Sequence, residues 1–441
     1  QCGDMQEPME LLELPGISLD YFLRGLAGEA YQDNAVFQEL YSWYLQSPEY
    51  RILVKKLTEA SFSERPSDKI GKTVAKILYG EISPYSATRL ERFAACAFAH
   101  FLQYGLKVTE RAEYEFRAMD MGNVMHMALE KFAAEVRKEG LDWAELTEEE
   151  RNRIIDSCLD QVSADYGNTI LKSSARNEYM IERTRRILRR TVWALQEQLK
   201  HGAFRPEGFE VRFQGGRIDR VDIMEEPENN RVYVKVIDYK TGNTSFDLLA
   251  LYHGLQLQLM VYLDGALQVE KRKYPDREIV PAGVFYYNVK DPMIQEKIHA
   301  DMESINEQML KKMKMNGLVQ ADDNMSTKID STMASIPVSL NRDGSFSKRS
   351  SVASRKQFDA LGAYVRRKIC DIRESILDGN AAVEPYELGK KNACTYCPYL
   401  TVCGFDRKIP GYEFHRLSSI EEDALWKKIM KGEEENGSEM D

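Results

Sequence analysis

The hexapeptide Ile237-Asp238-Tyr239-Lys240-Thr241-Gly242 ends an apolar run with a carboxylate and an ammonium two residues apart. Side chains on a strand alternate faces, so Asp238 and Lys240 project together, on the side taken by Val232, Val234 and Val236. Such a pair suits metal-assisted hydrolysis. The Asp holds a hard cation, and the Lys orients or deprotonates water and neutralises developing charge. A strand running out into a charged, solvated turn reads the same way, because Asp-x-Lys-x-Gly is short. The preceding run, Gly216-Arg217-Ile218-Asp219-Arg220-Val221-Asp222, narrows the choice. Pairing as a hairpin brings Asp219 close to Asp238, where two carboxylates repel unless a cation or proton lies between them. Asp222, three residues on, points to the opposite face and is expected to be structural or ion-paired.

Other residues add to this pair. His126 and Glu130, in Gly122-Asn123-Val124-Met125-His126-Met127-Ala128-Leu129-Glu130, lie at i and i+4 on one helix face, although a lone His there also fits a core. Gln258 and Tyr262 share a face of a later helix. Cys394-x-x-Cys397-x5-Cys403 has metal-ligand spacing but supplies only three thiolates. Spacing leaves the fourth ligand open among Cys2, Cys96, Cys158, Cys370 and non-Cys residues, and leaves zinc and an iron–sulfur cluster open too.

The elements that must position these residues follow from periodicity. Residues 1–80 read as helical, followed by helices at Ser86–Tyr104 and Asp120–Lys138 and a helical stretch from Leu141 to Lys200. Strands are predicted at Phe209–Phe213, Gly216–Met224 and Arg231–Tyr239, then a helix at Asp247–Leu267 and a strand at Ile279–Val289. Residues 318–356 are polar and Ser-rich and read as a loop or excursion before a basic helix at Arg355–Leu377. Gly71-Lys72-Thr73 is no phosphate loop: Pro66 stands at the first Gly position and no apolar strand leads into it.

The 441 residues carry a net charge of −10, a poor footing for nucleic acid. The charge is uneven, however. Residues 420–441 hold eight Asp/Glu against three Lys and read as a solvated tail, whereas residues 341–373 hold nine Lys/Arg against three Asp. The odd count of seven Cys argues against a disulfide framework. No apolar run is long enough to span a membrane and no signal peptide opens the chain, which points to the cytoplasm; the missing initiator Met suggests a fragment.

Taken together, the Gly-x-x-x-His-x-x-x-Glu helix, the Gly-x-Ile-Asp strand, the Asp-Tyr-Lys strand and the Gln-x-x-x-Tyr helix resemble the RecB-like branch of the PD-(D/E)XK nucleases. The resemblance implies an α/β fold: a restriction-endonuclease-like core, a mixed sheet flanked by helices, with large helical additions and a C-terminal Cys cluster. It implies that His126, Asp219, Asp238 and the backbone carbonyl of Tyr239 bind Mg²⁺ or Mn²⁺. Lys240 would be the catalytic base or water-orienting group, with Gln258 and Tyr262 supporting the site or contacting DNA. It also implies that Cys96 joins Cys394, Cys397 and Cys403 around a [4Fe-4S] cluster, with zinc the alternative.

Residues 86–106, 120–130, 344–354 and 388–405 are more narrowly similar to the AddB family, second subunits of helicase–nucleases that process broken DNA ends; Ala97 stands where that family usually has Pro. That likeness implies an AddA-type partner in a heterodimer, single- and double-stranded DNA as ligands, and hydrolysis of the 5′-ended strand. It divides the chain into the end of a helicase-like region (1–80), a nuclease domain (81–410) and an acidic tail (411–441). Lys348 and Arg349, and the Arg183/Arg186/Arg190 face, are candidate DNA contacts. Two other readings remain: a stand-alone RecB-like exonuclease of the CRISPR type, opposed by residues 1–80 and 344–354, and a decayed DNA-binding scaffold, opposed by the intact His126, Asp219, Asp238 and Lys240.

Overall fold

Among the described residues, helices dominate up to residue 200 and strands begin at residue 205, as the change of period predicts. In the computed structural model the described residues are 15–16, 18–19, 22, 35–61, 69–80, 86–109, 118–166, 174–294, 301–409 and 411–437. They fall in two compact units, Gln1–Ser67 and Asp68–Asp441. In the first, α1 (Ala35–Gln46) and α2 (Arg51–Ser61) bury Phe37, Tyr44 and Val54 with Phe22.

The second unit begins with α3 (Lys72–Tyr79), α4 (Ala87–Ala95) and the short α5 (Ala97–His100); α4 and α5 part at Cys96, whose backbone is extended. Helix α3, read from sequence with residues 1–80, packs Ala75 and Tyr79 into this unit's core. Then come α6 (Ala118–Lys138), α7 (Glu148–Asp165) and α8 (Ala175–Lys200). Among the described residues, the stretch Leu141–Lys200, expected as helical throughout, holds a short turn at Trp143–Glu145 and then α7 and α8. Thr147 and Glu150 form a reciprocal capping box, worth about 1 kcal/mol, that starts α7 afresh, and Ser174 caps α8.

Strands β1 (Arg205–Phe213), β2 (Gly216–Glu226) and β3 (Arg231–Lys240) form an antiparallel meander whose first hairpin closes at Phe213↔Gly216. A parallel neighbour needs a crossover. The helix expected there is split into α9 (Leu248–Tyr252) and α10 (Gln258–Lys273). The break is at Gly254, where a φ of +80° suits glycine and an added Cβ would lie 3.3 Å from Ala94. Strand β4 (Glu278–Asn288) then runs parallel to β3.

Beyond it, α11 (Met302–Lys312) leads to β5 (Asn316–Gln320), and α12 (Met325–Ile329) precedes β6 (Val352–Ala353). The strands complete a mixed six-stranded sheet in the order β1 to β6. Residues 318–356 are thus only partly an excursion. The apolar Leu318-Val319 pairs with β4, and Ser-rich sequence returns as β6.

Helix α13 (Arg355–Leu377) has the bounds the sequence predicts, with a second capping box at Ser354 and Gln357. After it come α14 (Leu400–Cys403) and α15 (Glu422–Gly437). The acidic end, expected to be solvated, instead buries Leu425, Trp426 and Ile429. One face of the sheet is covered by α6, α7 and α8, and the other by α4, α10, α13 and α15. Among the described residues no helix is long and apolar enough to cross a membrane.

Candidate active site

On β3, Val232, Val234 and Val236 enter the core beneath α10, and Asp238 and Lys240 continue the row. Lys240 Nζ lies 2.6 Å from Asp238 Oδ2. Gln258, at the first turn of α10, binds both: its Oε1 accepts from Lys240 Nζ at 2.8 Å, and its Nε2 donates to Asp238 Oδ1 at 3.1 Å. The same Nε2 lies 2.8 Å from the Tyr262 hydroxyl. Gln258 and Tyr262 therefore form one supporting network with the strand pair. The Lys240 ammonium also sits 5.4 Å from the Tyr286 ring centroid.

Asp219 stands one step beyond the last paired residues of β2 and β3, Arg220↔Ile237, so continuing the register sets it opposite Asp238. Its Oδ2 accepts from the Tyr239 backbone N–H at 2.7 Å and lies 3.3 Å from His126 Nδ1. His126 reaches it because α6 runs close to the turn after β3. A Cβ on Gly122 would lie 3.2 Å from Thr241 Oγ1, which gives the glycine of Gly-x-x-x-His a packing reason. Glu130, four residues on, is exposed and outside this cluster.

The structure adds a residue that the motifs do not single out. Glu210 joins His126 and Asp219 in a cluster whose ligand atoms all lie within 4.8 Å of one another. Its backbone φ is +50°, a strained value for a non-glycine residue. Strand alternation breaks at this point: Phe209 packs on one side of the sheet, while Val211 packs on the other. On β2, Ile218 and Val221 enter the same core despite their three-residue spacing. The two strands change phase together, which aims Glu210 and Asp219 at one spot, as bulges beside active sites do. A signal existed: counting back from the Phe213↔Gly216 closure pairs Glu210 with Asp219.

The electrostatics follow from crowding. Burial, then the Asp219 charge, pushes Asp238 up to about 6 despite Lys240. The same two causes push Glu210 up to about 7 despite Arg217. Burial pulls the His126 imidazole down, but its contact with Asp219 and the surrounding carboxylates outweigh this, and the net shift is upward. A site that raises acids and imidazole together is short of positive charge, and a bound cation supplies it. His126, Glu210, Asp219 and Asp238 are oxygen and nitrogen donors suited to Mg²⁺ or Mn²⁺.

Asp222 lies apart. It accepts from Arg220 Nε at 2.5 Å and Nη2 at 2.9 Å, with Lys235 Nζ at 3.0 Å, all buried. It is ion-paired, as expected. Lys348 and Arg349 are exposed in the turns of residues 341–351, outside the carboxylate cluster. Of the arginine face, Arg186 is held by Asp291 at 2.9 Å.

At the other end of α4, Cys96, Cys394, Cys397 and Cys403 line one cavity. Burial, then the other three cysteines, pushes Cys394 up to about 11, and burial raises Cys96. Arg92 Nη2 approaches Cys397 Sγ at 3.9 Å. Cys158 is buried in the helical core and Cys370 is exposed on α13; Cys2 lies outside the described residues.

A carboxylate–histidine cluster beside an Asp/Lys pair at the end of a strand in a mixed sheet is the arrangement of a metal-dependent phosphodiesterase. The chain belongs to the PD-(D/E)XK nuclease superfamily, whose family model matches residues 84–404. It is similar to the B-type subunit of the ATP-dependent helicase/deoxyribonuclease of Lachnoclostridium phytofermentans, with 39% identity over 94% of this chain and 38% of that protein. The proteins of the same name from Alkaliphilus metalliredigens and Thermoanaerobacter sp. are each 33% identical, over 97% and 92% of this chain. The chain spans less than two-fifths of the length of these curated relatives.

Proposed function

We propose that the chain is the nuclease part of an AddB-type helicase–nuclease subunit and hydrolyses DNA phosphodiester bonds, acting on the 5′-ended strand. The observation that carries this reading is the joint placement of His126, Asp219 and Glu210 within 4.8 Å, beside Asp238 and Lys240. His126, Asp219, Asp238 and the Tyr239 carbonyl would hold Mg²⁺ or Mn²⁺, and Glu210, gathered with His126 and Asp219, would be a further ligand. The cation supplies a Lewis acid that lowers the pKa of water and offsets charge on the phosphate. Lys240, kept in place by Asp238 and Gln258, orients or deprotonates the attacking water. Tyr262 holds the Gln258 amide from behind.

The four cysteines around one cavity support a [4Fe-4S] staple joining α4 to the C-terminal segment. Residues 1–80 would close a helicase-like region, and an AddA-type subunit in the cytoplasm would supply ATP-driven unwinding of double-stranded DNA.

The test is Mg²⁺-dependent cleavage of end-labelled single-stranded DNA by the chain and by Asp238→Ala. The parent is expected to cut and the variant not. Equal inertness of both, even within a full-length AddB-type subunit assembled with its partner, overturns the reading. For the cluster, a visible iron–sulfur absorbance lost in Cys397→Ser is expected; colourless protein with stoichiometric zinc overturns it.

A further inference from the structure

Helix α10 carries Gln258, which touches both Asp238 and Lys240, yet the helix has no cap of its own. Its N-cap position is Leu257, which has no side-chain oxygen. The first N–H groups of a helix need acceptors. Here the acceptor comes from a distant helix: Glu91 Oε1 on α4 accepts from Leu257 N at 2.6 Å and from Gln258 N at 2.9 Å. A carboxylate at a helix N-terminus also meets the positive end of the macrodipole.

The contact is held on both sides. Gly254 brings the turn before α10 against Ala94, one helical turn along α4 from Glu91. Five residues beyond Glu91 is Cys96, at the thiol cavity, and the neighbouring Arg92 reaches Cys397 Sγ. Helix α4 thus has its C-terminal end in the cysteine site and a side chain at the base of the nuclease site. The carboxylate is itself close enough to feel Lys240 and Asp238, and burial pushes it up to about 7 although both N–H bonds pull it down.

We propose that Glu91 is a positioning residue: from α4 it holds the first turn of α10 so that Gln258 meets Asp238 and Lys240, linking the thiol site to the nuclease site. The role rests on the nuclease reading above but is read out independently of it. Glu91 touches no reacting atom and acts through Gln258.

The experiment compares the chain with Glu91→Gln, Glu91→Ala, Gln258→Ala and the double variant Glu91→Ala/Gln258→Ala. Single-turnover cleavage of end-labelled single-stranded DNA is expected to slow about ten- to a hundredfold in Glu91→Ala, the scale of a misplaced catalytic group. DNA affinity should be unchanged, Glu91→Gln should lose less, and the double variant should be no slower than Gln258→Ala. Hydrogen exchange is measured alongside, without DNA or metal. Amides at the start of α10 should exchange roughly tenfold faster in Glu91→Ala, the scale of losing one charge-assisted bond, while those of β2 and β3 keep their protection. Unchanged exchange at α10, or losses that multiply in the double variant, overturns the proposal. A parent chain that cuts no DNA counts against the nuclease reading, and exchange then decides the role of Glu91 alone.

Discussion

Two charged groups lie three residues apart on β2, and they are built on opposite terms. Around Asp222, one carboxylate meets two cations, Arg220 and Lys235, and all three side chains are at most 5% exposed. Burial alone would raise Asp222, but Arg220 and then Lys235 hold it below the usual carboxylate range. Rings of Trp143 and Phe209 lie against the Arg220 guanidinium. Around Asp219 the balance reverses. Three carboxylates, Glu210, Asp219 and Asp238, share Lys240, Arg217 and a partly exposed His126. A carboxylate enclosed by buried cations is architecture, whereas three carboxylates that share two permanent cations, with Glu210 and Asp238 pushed upward, are placed to take a cation.

The sharpest way to break this comparison is to remove one acid from each group. Asp219→Ala should reduce DNA cleavage by about a thousandfold or more, since a metal's charge stabilisation is worth several kcal/mol. Its melting temperature without metal should hold or rise, because a repulsive charge is gone. Asp222→Ala should do the reverse. It leaves Arg220 and Lys235 buried without a counter-charge, a loss of about 3–5 kcal/mol in denaturant unfolding. Residual cleavage at the parent rate in Asp219→Ala, or an unshifted unfolding midpoint in Asp222→Ala, would erase the distinction.

Much of this contrast was legible beforehand, and the exceptions have physical causes. Alternation aligns Asp238 with Lys240, because period 2 is a covalent property of strands, whereas Asp219 and Asp222 part at the phase change that sends Ile218 and Val221 into the same core. The helix of residues 355–377 was legible to the residue, since Ser354 and Gln357 are a local capping signal. Glu210 was legible only through the hairpin register that sets it opposite Asp219, because its φ of +50° is imposed by packing between paired strands and leaves no mark in composition. The acidic end misled for a related reason. Net charge averages over a helix, while Leu425, Trp426 and Ile429 bury one side of it. Similarly, serine content hid the pairing of Leu318 and Val319 within residues 318–356.

Glu210 offers a finer test, through pH. Its carboxyl is raised from an ordinary 4.5 to about 7. A raised carboxyl favours the folded state fully below its unfolded value and loses that contribution as pH climbs through the folded value. Without metal, Glu210→Gln should therefore gain melting temperature over the parent progressively between pH 4.5 and 7. With saturating Mn²⁺ above that range the order should invert, because the parent binds the ion more tightly and gains RT ln(1 + [L]/Kd). An advantage that shrinks as pH rises would mean that Glu210 is already matched by Arg217 and belongs with Asp222.

The smallest expected effect concerns Lys348 and Arg349, which lie outside both groups. Arg349 lines a shallow surface with Lys314 and Asn316. Asn316 opens β5 opposite Tyr286, and Tyr286 is in turn the β4 neighbour of Asp238, so Arg349 stands at the nuclease end of the sheet. Both side chains are exposed, and a cation in water contributes to DNA binding by releasing counterions rather than by stabilising a transition state. Replacing both with Ala should flatten the log–log salt dependence of single-strand binding by about 0.7 for each phosphate no longer neutralised. Cleavage at saturating DNA should keep its rate, because both lie outside the cluster of His126, Asp219, Asp238 and Lys240. A fall in that saturated rate would move the pair into the nuclease site and extend its excess of carboxylates with cations of its own.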